Sequence, residues 1–162
     1  MSDTVEYFAY GSNLSKEQMK DRGIAVEDTE IVELPEWELA FTIYSDAWKG
    51  GVGDIIPDPK KRVEGVVYTI PKDDLKNLDH YEGRKTDDNM EVGMYRRQYL
   101  PVKKSSGWNT VLTYLVNRNI EYKSKIHLKP SKDYLETIIS GAEKHGLSKE
   151  YLDLLKNIDY KK

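Results

Sequence analysis

Two short segments of the chain combine glycine with polar or charged side chains in patterns that can support chemistry. The first is Tyr10-Gly11-Ser12-Asn13-Leu14, which follows an aromatic run. If a strand ends at Gly11 and a helix begins soon afterwards, several backbone N–H groups are left without intrahelical partners. Such groups at a helix N-terminus favour a bound carboxylate or phosphate, and glycine allows close approach of the ligand. The alternative is an ordinary turn in which Ser12 and Asn13 serve only as turn formers.

The second segment places a glutamate, Glu82, directly before Gly83 at the end of a predicted helix. The negative end of the helix dipole and partial burial both disfavour a charged carboxylate, so both raise its pKa. A carboxyl group that titrates near neutral pH can accept a proton and later return it. A solvated glutamate before a helix end is the alternative. Asp79, three residues earlier on the same helical face, and Glu91 are rival carboxylates.

Composition excludes several classes of function. The 162 residues have 33% charged side chains that nearly cancel to a net charge of −3, which argues against a nucleic-acid partner and an anionic membrane surface. The chain has no cysteine, and its three histidines lack the spacing of a metal pair, so we expect no disulfide, metal or other cofactor. It has no signal-peptide pattern and no apolar stretch of about 20 residues, and we therefore expect a cytoplasmic protein.

Hydrophobic periodicity predicts a sheet-dominated α+β fold in a single domain over residues 1–162. Strand patterns occur at residues 5–10, 31–44, 64–70, 95–102 and 110–117. Glycines at 50–53 are expected to interrupt the second strand, with Pro57 and Pro59 forming a turn. Helices are predicted after the N-cap residues Ser15, Ser131 and Ser148, and between Pro71 and Gly83. The segment 84–89 is expected to be a loop.

Three segments together resemble the γ-glutamylcyclotransferase-like family. The run from Tyr7 to Leu14, Tyr-Phe-Ala-Tyr-Gly-Ser-Asn-Leu, is similar to the family's opening motif. Leu-Asp-x-x-Glu-Gly at 78–83, followed by Gly93-Met94-Tyr95, resembles its catalytic segment. The pattern over 130–151 resembles the closing segment of the γ-glutamylcyclotransferases proper.

The resemblance implies a small, twisted, mainly antiparallel barrel-like sheet with helices packed around it. It also implies Glu82 as the general acid/base. The substrate-binding residues that it implies are Tyr10, Gly11, Ser12, Asn13, Leu14, Tyr95 and Tyr114. No metal or cofactor is implied, and the partner is a small γ-glutamyl molecule bound by a monomer or a homodimer.

The reaction implied by the resemblance is cyclisation of a γ-glutamyl amide to 5-oxoproline, with release of an amino acid or amine. Three alternatives stay open, one of which is an interaction domain that uses the terminal helices. The substrate can instead be a γ-glutamylamine or a γ-glutamyl biosynthetic intermediate, or the protein can be a non-catalytic module that binds a small acidic ligand, since fold does not dictate function. Whether the segment 84–89 acts as a lid is also open.

Overall fold

A five-stranded closed barrel forms the centre of the protein. The computed structural model describes residues 3–118 and 127–162. In chain order the strands are β1 (Thr4–Ala9), β2 (Asp28–Ser45), β3 (Gly50–Pro71), β4 (Thr86–Asp87), β5 (Met90–Glu91), β6 (Tyr95–Lys104) and β7 (Gly107–Val116). The barrel order is β1-β3-β2-β6-β7. Its pairs are antiparallel except for β1 with β7, which run parallel where Tyr7 meets Leu112. The predicted α+β fold with a mainly antiparallel barrel-like sheet is confirmed.

The predicted interruption of the sheet at the glycine-rich segment is wrong. Gly50, Gly51 and Gly53 lie inside β3 and pair with β2. Gly50 and Gly51 pack closely against the segment 128–131: a Cβ on Gly50 would lie 2.5 Å from the backbone nitrogen of Ser131, and one on Gly51 would lie 2.8 Å from the Cβ of Leu128. Glycine within a strand often signals such an approach of another backbone.

The turn predicted at Pro57 and Pro59 is also wrong, because the chain bulges there without reversing. The register passes from the pair Pro35–Arg62 to the pair Trp37–Pro57, so residues 58–61 of β3 stand opposite Glu36 alone. A bulge leaves backbone groups unpaired and tolerates proline, which has no N–H to donate to a ladder. As a result, β3 continues past the prolines as a single bent strand and forms one long hairpin with β2.

Four α-helices lie outside the barrel within the described residues. They are α1 (Lys16–Asp21), α2 (Leu75–Tyr81), α3 (Lys132–His145) and α4 (Lys149–Lys156), and short 3₁₀ turns cover Ser12–Leu14 and Lys72–Asp74. The predicted N-caps are confirmed: the hydroxyl oxygens of Ser15, Ser131 and Ser148 each accept a hydrogen bond from the N–H three residues later. None of the helices in residues 3–118 and 127–162 is both long and apolar enough to cross a membrane.

The segment predicted as a loop at 84–89 begins a small hairpin. Its strands β4 and β5 pair through Thr86 with Glu91 and Asp87 with Met90. Asp88 and Asn89 join them with positive φ angles of 47° and 63°. Two consecutive left-handed residues of these types are favoured in a two-residue hairpin turn. The hairpin follows α2 directly and therefore lies next to the end of the helix that carries Glu82.

Helix α3 packs tightly on the turn that follows β1. A Cβ on Gly141 would lie 2.6 Å from the carbonyl carbon of Leu14 and 2.8 Å from its oxygen, so glycine permits this contact. The side chains of Leu14 and Ile138 are fully buried at the same junction. Helices α3 and α1 and the strands β1 and β3 thus contact the 3₁₀ turn Ser12–Leu14 from several sides.

Candidate active site

A cavity of about 390 Å³ opens where the first strand ends and α2 terminates. Residues from the turn after β1, from the β2–β3 hairpin, from the end of α2, and from β6, β7 and α3 surround it. Its lining includes Tyr7, Tyr10, Gly11, Ser12, Asn13, Arg22, Trp48, Gly53, Glu82, Tyr95, Tyr114 and Tyr134. Within residues 3–118 and 127–162, no group of three or more His, Asp or Glu side chains is placed to hold a metal ion.

The turn after β1 presents free backbone donors to this cavity. Gly11 precedes the 3₁₀ turn, and the N–H of Leu14 bonds to the carbonyl oxygen of Gly11 at 3.0 Å. Among the described residues, the N–H groups of Gly11 and Asn13 have no acceptor. A Cβ on Gly11 would lie 3.3 Å from the hydroxyl oxygen of Tyr134, which leaves little space for a side chain. Two unpaired N–H groups in a cavity wall can bind a carboxylate or an oxyanion.

Asn13 connects this turn to Glu82. Its side-chain nitrogen donates to the hydroxyl of Tyr7 at 3.0 Å and to Oε1 of Glu82 at 3.1 Å. Its side-chain oxygen accepts from Gln18 at 2.9 Å and from Nη1 of Arg22 at 3.0 Å. Both amide hydrogens and both oxygen lone pairs are therefore occupied. The Asn13 side chain fixes the positions of its neighbours, whereas only its backbone N–H stays available to a ligand.

Glu82 lies at the C-cap of α2, immediately after Tyr81, and its carboxyl group reaches the cavity. Burial raises the pKa of Glu82 to about 7; the nearby Arg22 cation lowers it, and the Asp79 carboxylate adds a smaller upward effect. Burial disfavours the ionised form because the interior solvates a charge poorly. At neutral pH the carboxyl group is thus present in both protonation states, which general acid/base chemistry requires.

The rival carboxylates Asp79 and Glu91 are held in ion pairs outside the cavity lining. Asp79 receives two hydrogen bonds from Arg97, at 3.0 and 2.6 Å, one from Arg84 at 3.1 Å, and one from the hydroxyl of Tyr114. Burial opposes its ionisation, but the hydrogen bonds from Arg97 and Tyr114 outweigh it and keep the pKa of Asp79 below its usual value. Glu91 accepts from Nε of Arg84 at 2.7 Å. Both carboxylates therefore hold neighbouring arginines in place.

Three buried tyrosines of the cavity use their hydroxyl hydrogens within the protein. Tyr10 donates to the backbone oxygen of Tyr114 at 2.6 Å, and Tyr95 donates to the backbone oxygen of Gly53 at 2.5 Å. Tyr114 donates to Asp79. Burial raises the pKa of all three hydroxyls above the usual range, so they stay protonated. Towards the cavity these oxygens can therefore act only as acceptors, for example for an ammonium group.

A family model described as AIG2-like matches residues 62–155, more than half of the chain. The chain belongs to the AIG2-like family. Over 162 residues it is 32% identical to a Mus musculus protein named gamma-glutamylcyclotransferase, covering 97% of this chain and 80% of the relative. A Homo sapiens protein of the same name is 34% identical over 158 residues, covering 94% and 78% respectively. A solved structure titled "Gamma-glutamyl cyclotransferase" has a TM-score of 0.82 at 29% identity, covering 98% of this chain and 90% of that chain.

These comparisons confirm the predicted family. The structure of this AIG2-like protein also brings seven of the eight predicted site residues to one cavity: Tyr10, Gly11, Ser12, Asn13, Glu82, Tyr95 and Tyr114. Leu14 is the exception and does not line the cavity. Its side chain is fully buried in the core against Gly141, because the 3₁₀ turn directs it away from the cavity. Its position next to Asn13 in the motif did not reveal this.

The cavity of this AIG2-like protein is also lined by residues that the sequence did not single out as site residues, among them Tyr7, Arg22, Trp48 and Tyr134. Tyr7 has the alternating pattern of a strand residue, and Tyr134 has the helical spacing of a core residue beside Ile138. Both patterns predict burial without indicating what the hydroxyl faces. Arg22 follows α1 and stacks over the ring of Tyr81, 4.9 Å from its centre. Its position depends on a contact between elements that are far apart in the sequence.

Proposed function

We propose that this protein is a γ-glutamylcyclotransferase, which cyclises γ-glutamyl amides to 5-oxoproline and releases an amino acid or amine. One observation carries the proposal: a carboxyl group with a pKa near 7, Glu82, lies in a cavity beside the unpaired N–H groups of Gly11 and Asn13. The mouse and human relatives, each named gamma-glutamylcyclotransferase, supply the reaction class.

The cavity offers complementary groups for a γ-glutamyl head group. The N–H groups of Gly11 and Asn13 bind its α-carboxylate, and Arg22 supplies the positive charge behind Asn13. The oxygens of Glu82 and Tyr114 accept hydrogen bonds from its α-ammonium group. Fixing both ends of the amino-acid group folds the short side chain back on itself. The α-nitrogen then lies about 3–3.5 Å from the γ-carbonyl carbon, a near-attack geometry.

Glu82 carries the protons in this scheme. The carboxylate takes one proton from the α-ammonium, and the free amine attacks the γ-carbonyl carbon to close a five-membered ring. As the tetrahedral intermediate collapses, the C–N bond to the leaving group breaks, and protonated Glu82 gives its proton to the departing nitrogen. The regenerated carboxylate then removes one of the two hydrogens on the ring nitrogen as a proton, and the other hydrogen stays as the lactam N–H. The removed proton passes to the released amine, which leaves as an ammonium ion.

The leaving group extends along the part of the cavity that the γ-glutamyl head group does not use, whose lining includes Ser45, Ala47, Trp48, His80 and Met94. These side chains are mostly small or apolar, and they leave the identity of the leaving group open. A γ-glutamyl amino acid is the first candidate because of the relatives' names, and a γ-glutamylamine is the alternative with the same chemistry. The remaining alternative is a module that binds the γ-glutamyl group without cyclising it.

Product analysis on a substrate panel tests the proposal. We expect purified protein to form 5-oxoproline from at least one γ-glutamyl amino acid, detected by mass spectrometry, with an equimolar amount of the released amino acid. The panel also contains γ-glutamylamines and a matched β-aspartyl series, whose shorter side chain would require a strained four-membered ring. If only the γ-glutamylamines yielded 5-oxoproline, the leaving group would be an amine and not an amino acid. Binding of the panel without any product would favour the non-catalytic module.

A further inference from the structure

The hydroxyl hydrogens of the cavity tyrosines fall into two groups. Tyr10, Tyr95 and Tyr114 donate theirs to protein acceptors. Tyr7 and Tyr134 do not, because their hydroxyl oxygens only receive hydrogen bonds: from the side chain of Asn13 for Tyr7, and from the backbone N–H groups of Gly53 and Ser12 for Tyr134. Within residues 3–118 and 127–162, neither of these two hydroxyls has an acceptor for its own hydrogen.

Tyr7 is the more informative of the two because its hydroxyl is joined to the proton-transfer group. It is 4% exposed and lines the cavity. The side-chain nitrogen of Asn13 donates one hydrogen to Tyr7 and the other to Glu82. Burial, followed by the Glu82 carboxylate, raises the pKa of the Tyr7 hydroxyl well above its usual value, so it keeps its hydrogen. A buried donor without an acceptor is costly, and a ligand that supplies the acceptor removes this cost.

The chemistry of ring closure identifies that acceptor. If Glu82 takes a proton from the α-ammonium, the α-nitrogen lies beside its carboxyl group. The γ-carbonyl carbon must then lie about 3–3.5 Å from this nitrogen. The carbonyl oxygen is therefore in the neighbourhood of Glu82, where Asn13 holds Tyr7. The side chain of Asn13 has no hydrogen left to donate, and of the two hydroxyls whose hydrogen has no acceptor in the protein, only that of Tyr7 is joined to Glu82 through Asn13.

We propose that Tyr7 is a second catalytic residue, whose hydroxyl donates a hydrogen bond to the γ-carbonyl oxygen and stabilises the oxyanion formed when the amine attacks. This inference rests on the proposed cyclisation. In this arrangement the backbone N–H groups of Gly11 and Asn13 still bind the α-carboxylate. Tyr134 has no hydrogen bond to Asn13 or Glu82; its hydroxyl oxygen instead accepts from the backbone N–H groups of Gly53 and Ser12.

The variant Tyr7→Phe tests this assignment, because phenylalanine keeps the ring that packs against Tyr68 and Tyr114. We expect kcat for 5-oxoproline formation to fall by about 10²-fold, with KM changed less than about threefold, as for the loss of one oxyanion donor. The factor should be the same for substrates whose leaving amines differ in basicity, since the oxyanion forms on every substrate. Tyr99→Phe is the control: Tyr99 is 57% exposed on β6, and the variant should keep the wild-type kcat.

The outcomes separate this proposal from the proposed function. A folded Tyr7→Phe protein with wild-type kcat, or with only a raised KM, would overturn the role of Tyr7. The proposed cyclisation would still stand, because the wild-type protein forms 5-oxoproline in the same assay. A loss of kcat that grows with the basicity of the leaving amine would also overturn this role. It would show that the Tyr7 hydroxyl gives its proton to the leaving nitrogen instead of stabilising the oxyanion. Should Tyr7→Phe not fold, 3-fluorotyrosine at position 7 is the second variant: its more acidic hydroxyl should raise kcat, and an unchanged kcat would contradict the proposal. Wild-type protein that forms no 5-oxoproline would instead overturn the proposed function.

Discussion

Replacing Glu82 with glutamine is expected to lower kcat for 5-oxoproline formation by about 10³-fold while the protein stays folded. Glutamine keeps the size of the side chain, and its carbonyl oxygen can still accept the hydrogen bond that Asn13 donates to Glu82 at 3.1 Å. It cannot take a proton from the substrate ammonium or give one to the leaving nitrogen. The measurement is the steady-state rate on the best substrate of the panel, with circular dichroism and thermal unfolding as the test of folding.

A second carboxylate provides the matched control for this experiment. Glu91→Gln makes the same chemical change at a residue paired with Arg84 and outside the cavity lining. We expect this variant to retain kcat within about threefold, because a partly exposed ion pair contributes little to stability and nothing to proton transfer. Equal losses in both variants, or a folded Glu82→Gln protein with the wild-type rate, would remove Glu82 from the mechanism.

Replacing Gly141 with alanine is expected to destabilise the protein by roughly 1–3 kcal/mol, although alanine normally stabilises a helix interior relative to glycine by about 1 kcal/mol. The sign is reversed because the added Cβ would lie 2.6 Å from the carbonyl carbon of Leu14, a backbone atom that cannot move without shifting the 3₁₀ turn. That turn carries Asn13, which positions Glu82. We therefore expect kcat to fall as well.

Urea unfolding at equilibrium measures the first effect, and the 5-oxoproline assay measures the second. Ser140→Ala, one residue earlier on the exposed side of α3, is the control and should be neutral or slightly stabilising. If Gly141→Ala proved as stable as Ser140→Ala and fully active, the close packing of α3 on the turn would matter neither for stability nor for catalysis.

Local sequence signals predicted the parts of the fold that depend on neighbouring residues. The three serine N-caps and the glycine end of α3 at Gly146, with a φ of 80°, follow from rules that act within one helical turn. The glycines and prolines of β3 misled the prediction because those residue types usually end strands. What keeps β3 continuous is its pairing with β2 and the approach of Ser131 and Leu128, which the chain reaches only much later.

The candidate site shows the same division between local and distant information. The position of Glu82 at the end of α2 was predictable, and so was the turn at Gly11. The choice between Glu82 and Asp79 was not predictable from spacing, because it depends on Arg97 in β6 holding one carboxylate in its ionised form. The direction of the Tyr7 hydroxyl likewise depends on Asn13, which reaches it across the turn.

The pH dependence of kcat/KM in wild-type protein tests the central claim most directly, because this ratio reports the ionisation of the free enzyme. A carboxyl group whose pKa is raised to about 7 is protonated below that pH and cannot accept the ammonium proton. The account therefore predicts that kcat/KM rises with pH to a plateau, with an acidic limb near pH 7. A kcat/KM that stays flat from about pH 5 upwards, as an ordinary glutamate with a pKa near 4.3 would give, would contradict Glu82 as the general base.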